Sequence, residues 1–342
     1  MHHQGDESAR GARPRLSMVA VLALVIALGA FTSAWGAAAV PGTCAAISVD
    51  RENARAGATG WEPPVTTALP SVQGYANTTS AVCGQRVTLS LGTRSARPIL
   101  VRIVAWRLGY YRGTGGRRVW TSAVVRVLRP KTWEAVAPGT NMVTASWRPS
   151  LSFTIPHTWT QGVYELRLVP LAGGLHPGAI PLVVRDATRT TKLIEVLSTN
   201  TWRMYNTWGG FDAYSTPRTS RIVSLNRPYD GFGMVSLAGD DYPLVRFLES
   251  HGLDVSYATD PDLDRGVSPV GRAHALVFGS HTEYWTTGMR ATLTAALTRG
   301  ANAVFLGANN MYWRPVSVGT TRPYRALAIW KLAAVDPNAN SP

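Results

Sequence analysis

"RAHALVFGSHTEYW", residues 272–285, decides the fold. Its apolar run is too short for a helix and is closed by glycine, so it reads as a buried strand. The strand gives way at once to His281, Glu283, Tyr284 and Trp285. "TKLIEVLST" (191–199), "LDVSYATD" (253–260) and "ANAVFLGAN" (301–309), on either side of it, are compact apolar runs of the same kind. Between them, "YPLVRFLESHG" (242–252) and "TGMRATLTAALTRG" (287–300) carry apolar residues at helical spacing and stop at glycine. Alternation of strand and helix predicts a parallel sheet with helices on its faces. Ligands of such sheets gather at the carboxyl ends of the strands. Those ends are "TNTWRMYNTWGG", "TDPDLD", "GSHTEYW" and "GANNMYW", all rich in Trp, Tyr, Asn, Asp and His.

Upstream the pattern changes. "QRVTLSLGT", "RPILVRIVAWRLG", "RRVWTSAVVRVL", "LSFTIP", "GVYELRLVPL" and "AIPLVVRD" are short Val-, Ile- and Leu-rich runs between Gly/Pro turns. Their number and spacing predict a sandwich of immunoglobulin type over 76–188. "LGYYRGTGGRR" is expected to form a wide, Gly-rich loop. Residues 40–75 have no period and read as a tether. The α/β part is expected over 189–342. Its sheet needs more strands than the last clear one near Asn309 provides, so the sequence reads as a fragment or truncated form.

The 342 residues suffice for about two domains. With 45% hydrophobic and 16% charged residues the chain is globular. The net charge of +14 is almost all arginine, since Lys131, Lys192 and Lys331 are the only lysines. The arginines form no basic run, which argues against nucleic-acid binding. At the N-terminus, Arg10, Arg13 and Arg15 precede a stretch without charge from Leu16 to Val49. Small residues at Ala37–Ala39 complete the pattern of a signal peptide over 1–39. An uncleaved anchor is the alternative, although the strongly apolar part, Met18 to Phe31, is short for a span of about 20 residues. Either way a secreted or cell-envelope location is expected, with membrane contact only through that segment. An exported chain is expected to join its two cysteines, Cys44 and Cys83.

Several motifs are absent: G-x-S-x-G, P-loop, G-x-G-x-x-G, H-E-x-x-H and C-x-x-C. No cysteine follows a buried strand, which rules out a thiol mechanism of amidotransferase type. "DPDLDRG" (260–266) has its glycine one place late for a calcium loop, and Gly271 stands where the loop needs glutamate. Asp260 is expected to cap the strand end or face the cleft. "RPYDGFG" is expected beside the cleft, with Arg227 pairing with a carboxylate.

"RLGYYRGTGGRR", "GVYELRL", "TWRMYNTWGG", "RPYDGFG", "YATDPDLD", "SHTEYW" and "LGANNMYWR" occur in this order. Together they resemble the large (beta) subunit of N,N-dimethylformamidase and its relatives, over roughly residues 75–337. The resemblance implies an immunoglobulin-like domain followed by an α/β domain similar to class I glutamine amidotransferases. It implies an amidohydrolase of linear amides with one iron ion (Fe3+) held by two tyrosines and a glutamate. Tyr164, Tyr205 and Glu283 fall on those positions, and His281 and Asn309 on supporting polar ones. A further family glutamate lies far downstream, and this chain has no Glu after Glu283.

The chemistry of these residue types is coherent. Phenolate and carboxylate oxygens suit a hard cation such as ferric iron. Three protein ligands leave room for water and substrate. In extended backbone, His281 and Glu283 would share a face. Each residue also has a plain structural reading: Tyr164 as packing in an apolar strand, Glu283 as an ion pair with one of the arginines, Asn309 as a cap. The expected function is therefore an exported hydrolase-like protein cleaving a C–N amide bond, with a small amide-like substrate. The alternative is a non-catalytic envelope protein that binds a glycan or protein through the β domain and the aromatic cleft. A homo-oligomer or a small partner subunit is left open.

Overall fold

The computed structural model describes residues 41–62, 68–189, 191–231, 233–234, 236–267, 270–279, 281–319 and 325–331. The expected leader over 1–39 lies outside the described residues. Among the described residues, no helix is long and apolar enough to cross a membrane.

A short helix, α1 (Val49–Asn53), comes first, with the Ser48 hydroxyl accepting from Arg51 N–H. The strands that follow are β1 (Gln73–Ala76), β2 (Ser80–Val82), β3 (Arg86–Gly92), β4 (Ile99–Leu108), β5 (Gly116–Thr121), β6 (Val125–Val127), β7 (Ala135–Ala137), β8 (Met142–Thr144), β9 (Pro149–Thr154), β10 (Gly162–Pro170) and β11 (Gly178–Arg185). They form one sheet in the order β1-β3-β9 and a second in the order β2-β11-β10-β4-β5, with β6 beside β4 and β7–β8 a separate ribbon. Alternate residues Val87, Leu89 and Leu91 of β3 meet Val101 and Ile103 of β4 and Leu166 and Leu168 of β10 in one core.

The second sheet is covered on its other face too. Trp106 and Leu108 of β4, Val163 of β10 and Val183 of β11 belong to a second core. Burial on both faces explains why "GVYELRL" reads as nearly continuous apolar sequence and not as clean alternation. The cover comes from the C-terminal half. There β12 (Leu193–Leu197), α2 (Thr199–Tyr205), β13 (Ile222–Ser224), α3 (Tyr242–Ser250), β14 (Val255–Thr259), α4 (Asp260–Asp264), β15 (Ala275–Phe278), α5 (Thr287–Thr298), β16 (Asn302–Phe305), β17 (Val316–Val318) and β18 (Ala326–Ala328) follow in order. Val245 and Leu248 of α3, Val255 and Tyr257 of β14 and Leu197 of β12 pack on the far side of β4 and β10.

The sheet β14-β12-β15-β16 is parallel throughout. The expected β plus α/β organisation is therefore what the chain adopts. From β12 the chain passes first to β14 on one side and then to β15 on the other. The ends of β12 and β15 thus diverge at a switch point, where open parallel sheets form their crevice. A smaller sheet, β13-β18-β17, lies beyond it.

The stretch expected to be a tether is fastened over its described residues. Cys44 and Cys83 form a disulfide. Glu52 is fully buried, accepting from Tyr111 Oη (2.9 Å), Thr160 Oγ1 (2.9 Å) and Arg117 Nε (2.7 Å). Asn53 Oδ1 accepts the backbone N–H of Tyr110 and Tyr111 at 2.8 and 2.9 Å. That contact holds the "LGYYRGTGGRR" loop, where Tyr111 and Arg112 take left-handed backbone angles. Arg107 of β4 completes the junction, donating to Glu249 of α3 at 2.7 and 3.1 Å with both side chains fully buried.

Candidate functional site

Helix α2 leaves the end of β12 and carries Tyr205 at its C-terminus. The segment after β15 carries Glu283. It is fixed as an extended tail: Met311 N–H donates to Thr282 O (3.0 Å), Trp313 N–H to Glu283 O (2.9 Å), and Trp285 N–H to Trp313 O (2.9 Å). The Glu283 N–H donates to Thr201 Oγ1 of α2 at 3.1 Å, tying tail to helix. The Glu283 side chain is 2% exposed. Tyr205 Oη donates to Glu283 Oε2 at 3.0 Å, and Tyr214 Oη donates to Glu283 Oε1. The two phenol rings stack with centroids 4.2 Å apart and planes 18° apart.

Tyr214 had no signal in the sequence. Its loop has neither period nor motif, and only the fold brings it in. Asp212 shapes that loop by accepting from Tyr214 N–H and Ser215 N–H, each at 2.6 Å. Lys331 is equally unforeseen: its Nζ stands 3.4 Å from the Tyr214 ring centroid, 5.2 Å from Trp313 and 5.7 Å from Tyr284. Burial lowers its pKa, and the Glu283 carboxylate opposes that shift. Burial also raises the phenols of Tyr205 and Tyr214, and their hydrogen bonds to Glu283 raise them further. Without a cation between them, these phenols hold their protons.

The other expected site residues lie elsewhere. Tyr164 is fully buried in the sandwich core, stacked on Trp159 with centroids 4.8 Å apart, and donates to Thr160 O at 2.5 Å. It faces the Glu52–Arg107 junction and makes no contact with Tyr205 or Glu283 among the described residues. His281 is exposed; the chain is no longer a strand at Gly279 or at 281–283, so the two-residue rule lapses there. Burial raises the Asp240 carboxyl, an effect that His281 opposes. Asn309 is exposed in a turn with φ 56°. Arg227 is buried and donates to the carbonyls of Trp208, Phe211 and Asn206 at 2.9, 2.9 and 3.0 Å; no carboxylate pairs with it among the described residues. "DPDLD" is the helix α4, and Asp262 caps it by accepting from Thr259 N–H and Oγ1 at 2.9 and 2.8 Å. Asp260 Oδ2 accepts from Asn200 N–H at 2.7 Å and so starts α2.

Two phenols and one carboxylate on neighbouring oxygens are a hard donor set, suited to a hard cation. No group of three His, Cys, Asp or Glu side chains capable of holding a metal occurs among the described residues. The donor set of this site is of a different kind, with one carboxylate and two phenols.

The β-sheet half is joined to a parallel α/β sheet, and the carboxylate–phenol cluster lies beyond the ends of β12 and β15. The family model "N,N-dimethylformamidase beta subunit-like, C-terminal" matches residues 102–342, and the chain belongs to that family. It is similar to the N,N-dimethylformamidase beta subunit of Paracoccus aminophilus, 31% identical over 123 residues, which are 33% of this chain and 16% of that subunit. It is also similar to the corresponding subunit of Alcaligenes sp, 30% identical over 112 residues, 30% of this chain and 15% of that subunit. The matched part thus spans about a sixth of those relatives. Solved structures overlap it weakly: Spo0M, a sporulation control protein from Bacillus subtilis, at 12% identity and TM-score 0.20 over 34% of this chain and 49% of that one; and a cycloisomaltooligosaccharide glucanotransferase from Paenibacillus sp., at 12% identity and TM-score 0.22 over 75% of this chain and 33% of that one.

Proposed function

We propose that the chain is an exported, hydrolase-like protein that cleaves the C–N bond of a linear amide at the Tyr205–Tyr214–Glu283 cluster. The observation that carries this reading is the convergence of two phenol hydroxyls on one buried carboxylate. In the same reading the β half is an immunoglobulin-like sandwich and the α/β half is related to class I glutamine amidotransferases. The family resemblance makes iron the cation, and Tyr205, Tyr214 and Glu283 are the residues that would hold it. Bound there, ferric iron would supply an activated water and polarise the amide carbonyl.

The protein's own groups prepare the rest. Thr201 and the Trp313 N–H fix the Glu283 backbone, so the carboxylate is held before any ligand arrives. Tyr205 and Tyr214 are 41% and 39% exposed, which leaves the cluster open to a substrate on one side. The Lys331 ammonium over the Tyr214 ring favours negative charge on that phenol oxygen.

Metal analysis with a visible spectrum tests the reading. About one iron per chain and a tyrosinate charge-transfer band are expected. Both should be lost in Tyr205→Phe, Tyr214→Phe and Glu283→Ala and kept in Tyr164→Phe. Absence of iron uptake by the folded protein, or loss confined to Tyr164→Phe, would overturn the assignment. A screen of linear amides with the loaded protein then tests the reaction.

A further inference from the structure

A polar cleft of ≈ 660 Å³ opens where β1 and β3 meet the loop after α4 and the residue before β18. Its volume falls in the range of small-molecule sites, roughly 300–1,000 Å³. Three guanidinium groups line it, those of Arg185, Arg265 and Arg325, and no carboxylate does among the described residues.

Asp262 is fully buried and stands within 3.2 Å of both Arg185 Nε and Arg265 Nη2 through one oxygen. That oxygen also accepts from Ser80 Oγ at 2.8 Å, while its partner oxygen caps α4. One carboxylate therefore serves two guanidiniums and the helix cap. Arg325 has none among the described residues. Its Nε donates to Asn226 Oδ1 (2.9 Å) and its Nη2 to the carbonyls of Ala76 (2.9 Å) and Leu225 (3.0 Å). These neutral acceptors orient the guanidinium without cancelling its charge. Burial and the neighbouring Arg203 press its pKa down to about 10, the shift of a cation that lacks a counterion.

The remaining wall is neutral and polar. Asn77, Asn226 and Thr88 offer amides and a hydroxyl, and Tyr75 and Trp147 supply apolar ring surface. Planar guanidiniums recognise carboxylates and phosphates by paired hydrogen bonds. Amides and hydroxyls beside ring edges suit the hydroxyls and C–H faces of a sugar.

We propose that this cleft binds an anionic sugar, with Arg265 and Arg325 holding its carboxylate or phosphate group. The proposal stands on this cleft alone and does not depend on the hydrolase reading.

Titration calorimetry of the folded full chain with glucuronate, glucose 6-phosphate, glucose and inorganic phosphate tests it. At least one sugar anion should bind about tenfold or more tightly than glucose, and more tightly than phosphate alone. Raising the salt concentration should weaken it. Arg325→Met removes the uncompensated cation and should cost about tenfold or more. Arg265→Glu, a change at a partly exposed side chain, should do the same if Arg325→Met fails to fold. The preference for glucuronate or glucose 6-phosphate separates a carboxylate from a phosphate ligand. Equal binding of glucose would overturn the role of charge. Phosphate alone binding as tightly as the sugar phosphate would overturn the sugar. No binding of either sugar anion up to about 10 mM, or unchanged binding in both folded variants, would overturn the site.

Discussion

Arg107 shows what a single side chain does in this molecule. Fully buried, it donates to Glu249, to Tyr111 Oη at 3.1 Å and to Gln161 O at 3.0 Å. Its charge is joined to elements from three parts of the chain. Arg107→Met strands the Glu249 carboxylate in the interior and should lower unfolding free energy by about 3–5 kcal/mol. The double change Arg107→Met/Glu249→Met removes both charges and should cost less than the single one. Denaturant titration of the two variants checks this, and equal losses would contradict it. Of the residues in the cluster, two could be picked out from the sequence. Tyr205 and Glu283 stand at strand and helix ends, where the polar tails of parallel strands collect. Tyr164 lies in the β core instead, and an apolar strand context looks the same whether the ring packs in a core or borders a cleft. Tyr214 and Lys331 had no local pattern at all, and only tertiary folding sets them against Glu283.

Among the elements, strand β12 carries the clearest anomaly. Glu195 lies in its middle, fully buried between Tyr257 of β14 and Val277 of β15, and neither carboxylate oxygen has a hydrogen-bond partner among the described residues. Burial, then the charges of Asp241 and Glu249, push its pKa well above 4.5. The folded state therefore keeps a proton that the unfolded chain releases near pH 4.5. Stability should fall as pH rises from that value toward the raised folded one, by up to about 1.4 kcal/mol per pH unit. Glu195→Gln keeps the shape and cannot ionise, so it should be the more stable protein at pH 8 and lose this part of the slope. Unfolding curves of both proteins between pH 5 and 8 decide the matter, and parallel slopes would refute it. The elements themselves were the most legible level. Compact apolar runs marked β12, β14, β15 and β16, and helical spacing marked α3 and α5. The same patterns could not show that β4 and β10 are covered on both faces, because a continuous apolar run does not say what lies on either side.

For the molecule as a whole, the N-terminal segment was the least legible part. It has no period, and its anchors are a disulfide, a buried Glu52 and the Trp61 Nε1–H donated to Thr114 O at 2.8 Å. The disulfide was expected from the two cysteines, whereas the Glu52 and Trp61 contacts act across sequence separations that a local reading does not see. The Cys44–Cys83 bridge closes a separation of 39 residues. Constraining a loop of that length in the unfolded chain is worth about 4 kcal/mol. Reduction, or Cys44→Ala/Cys83→Ala, should lower stability by roughly 2–5 kcal/mol while the β and α/β cores still form. Calorimetry of oxidised and reduced protein measures it, and unchanged melting would show that the native bridge is strained or the reduced chain already compact.

The sheet β2-β11-β10-β4-β5 belongs to two cores at once. Neither half of the molecule has a wall of its own along that plane. A recombination event that imported a foreign β module would have to match the aromatic and aliphatic relief of α3 and β14 as well as its own interior. Such a module cannot be traded as an independent cassette, and any change fixed in β4 or β10 has to satisfy two neighbourhoods together.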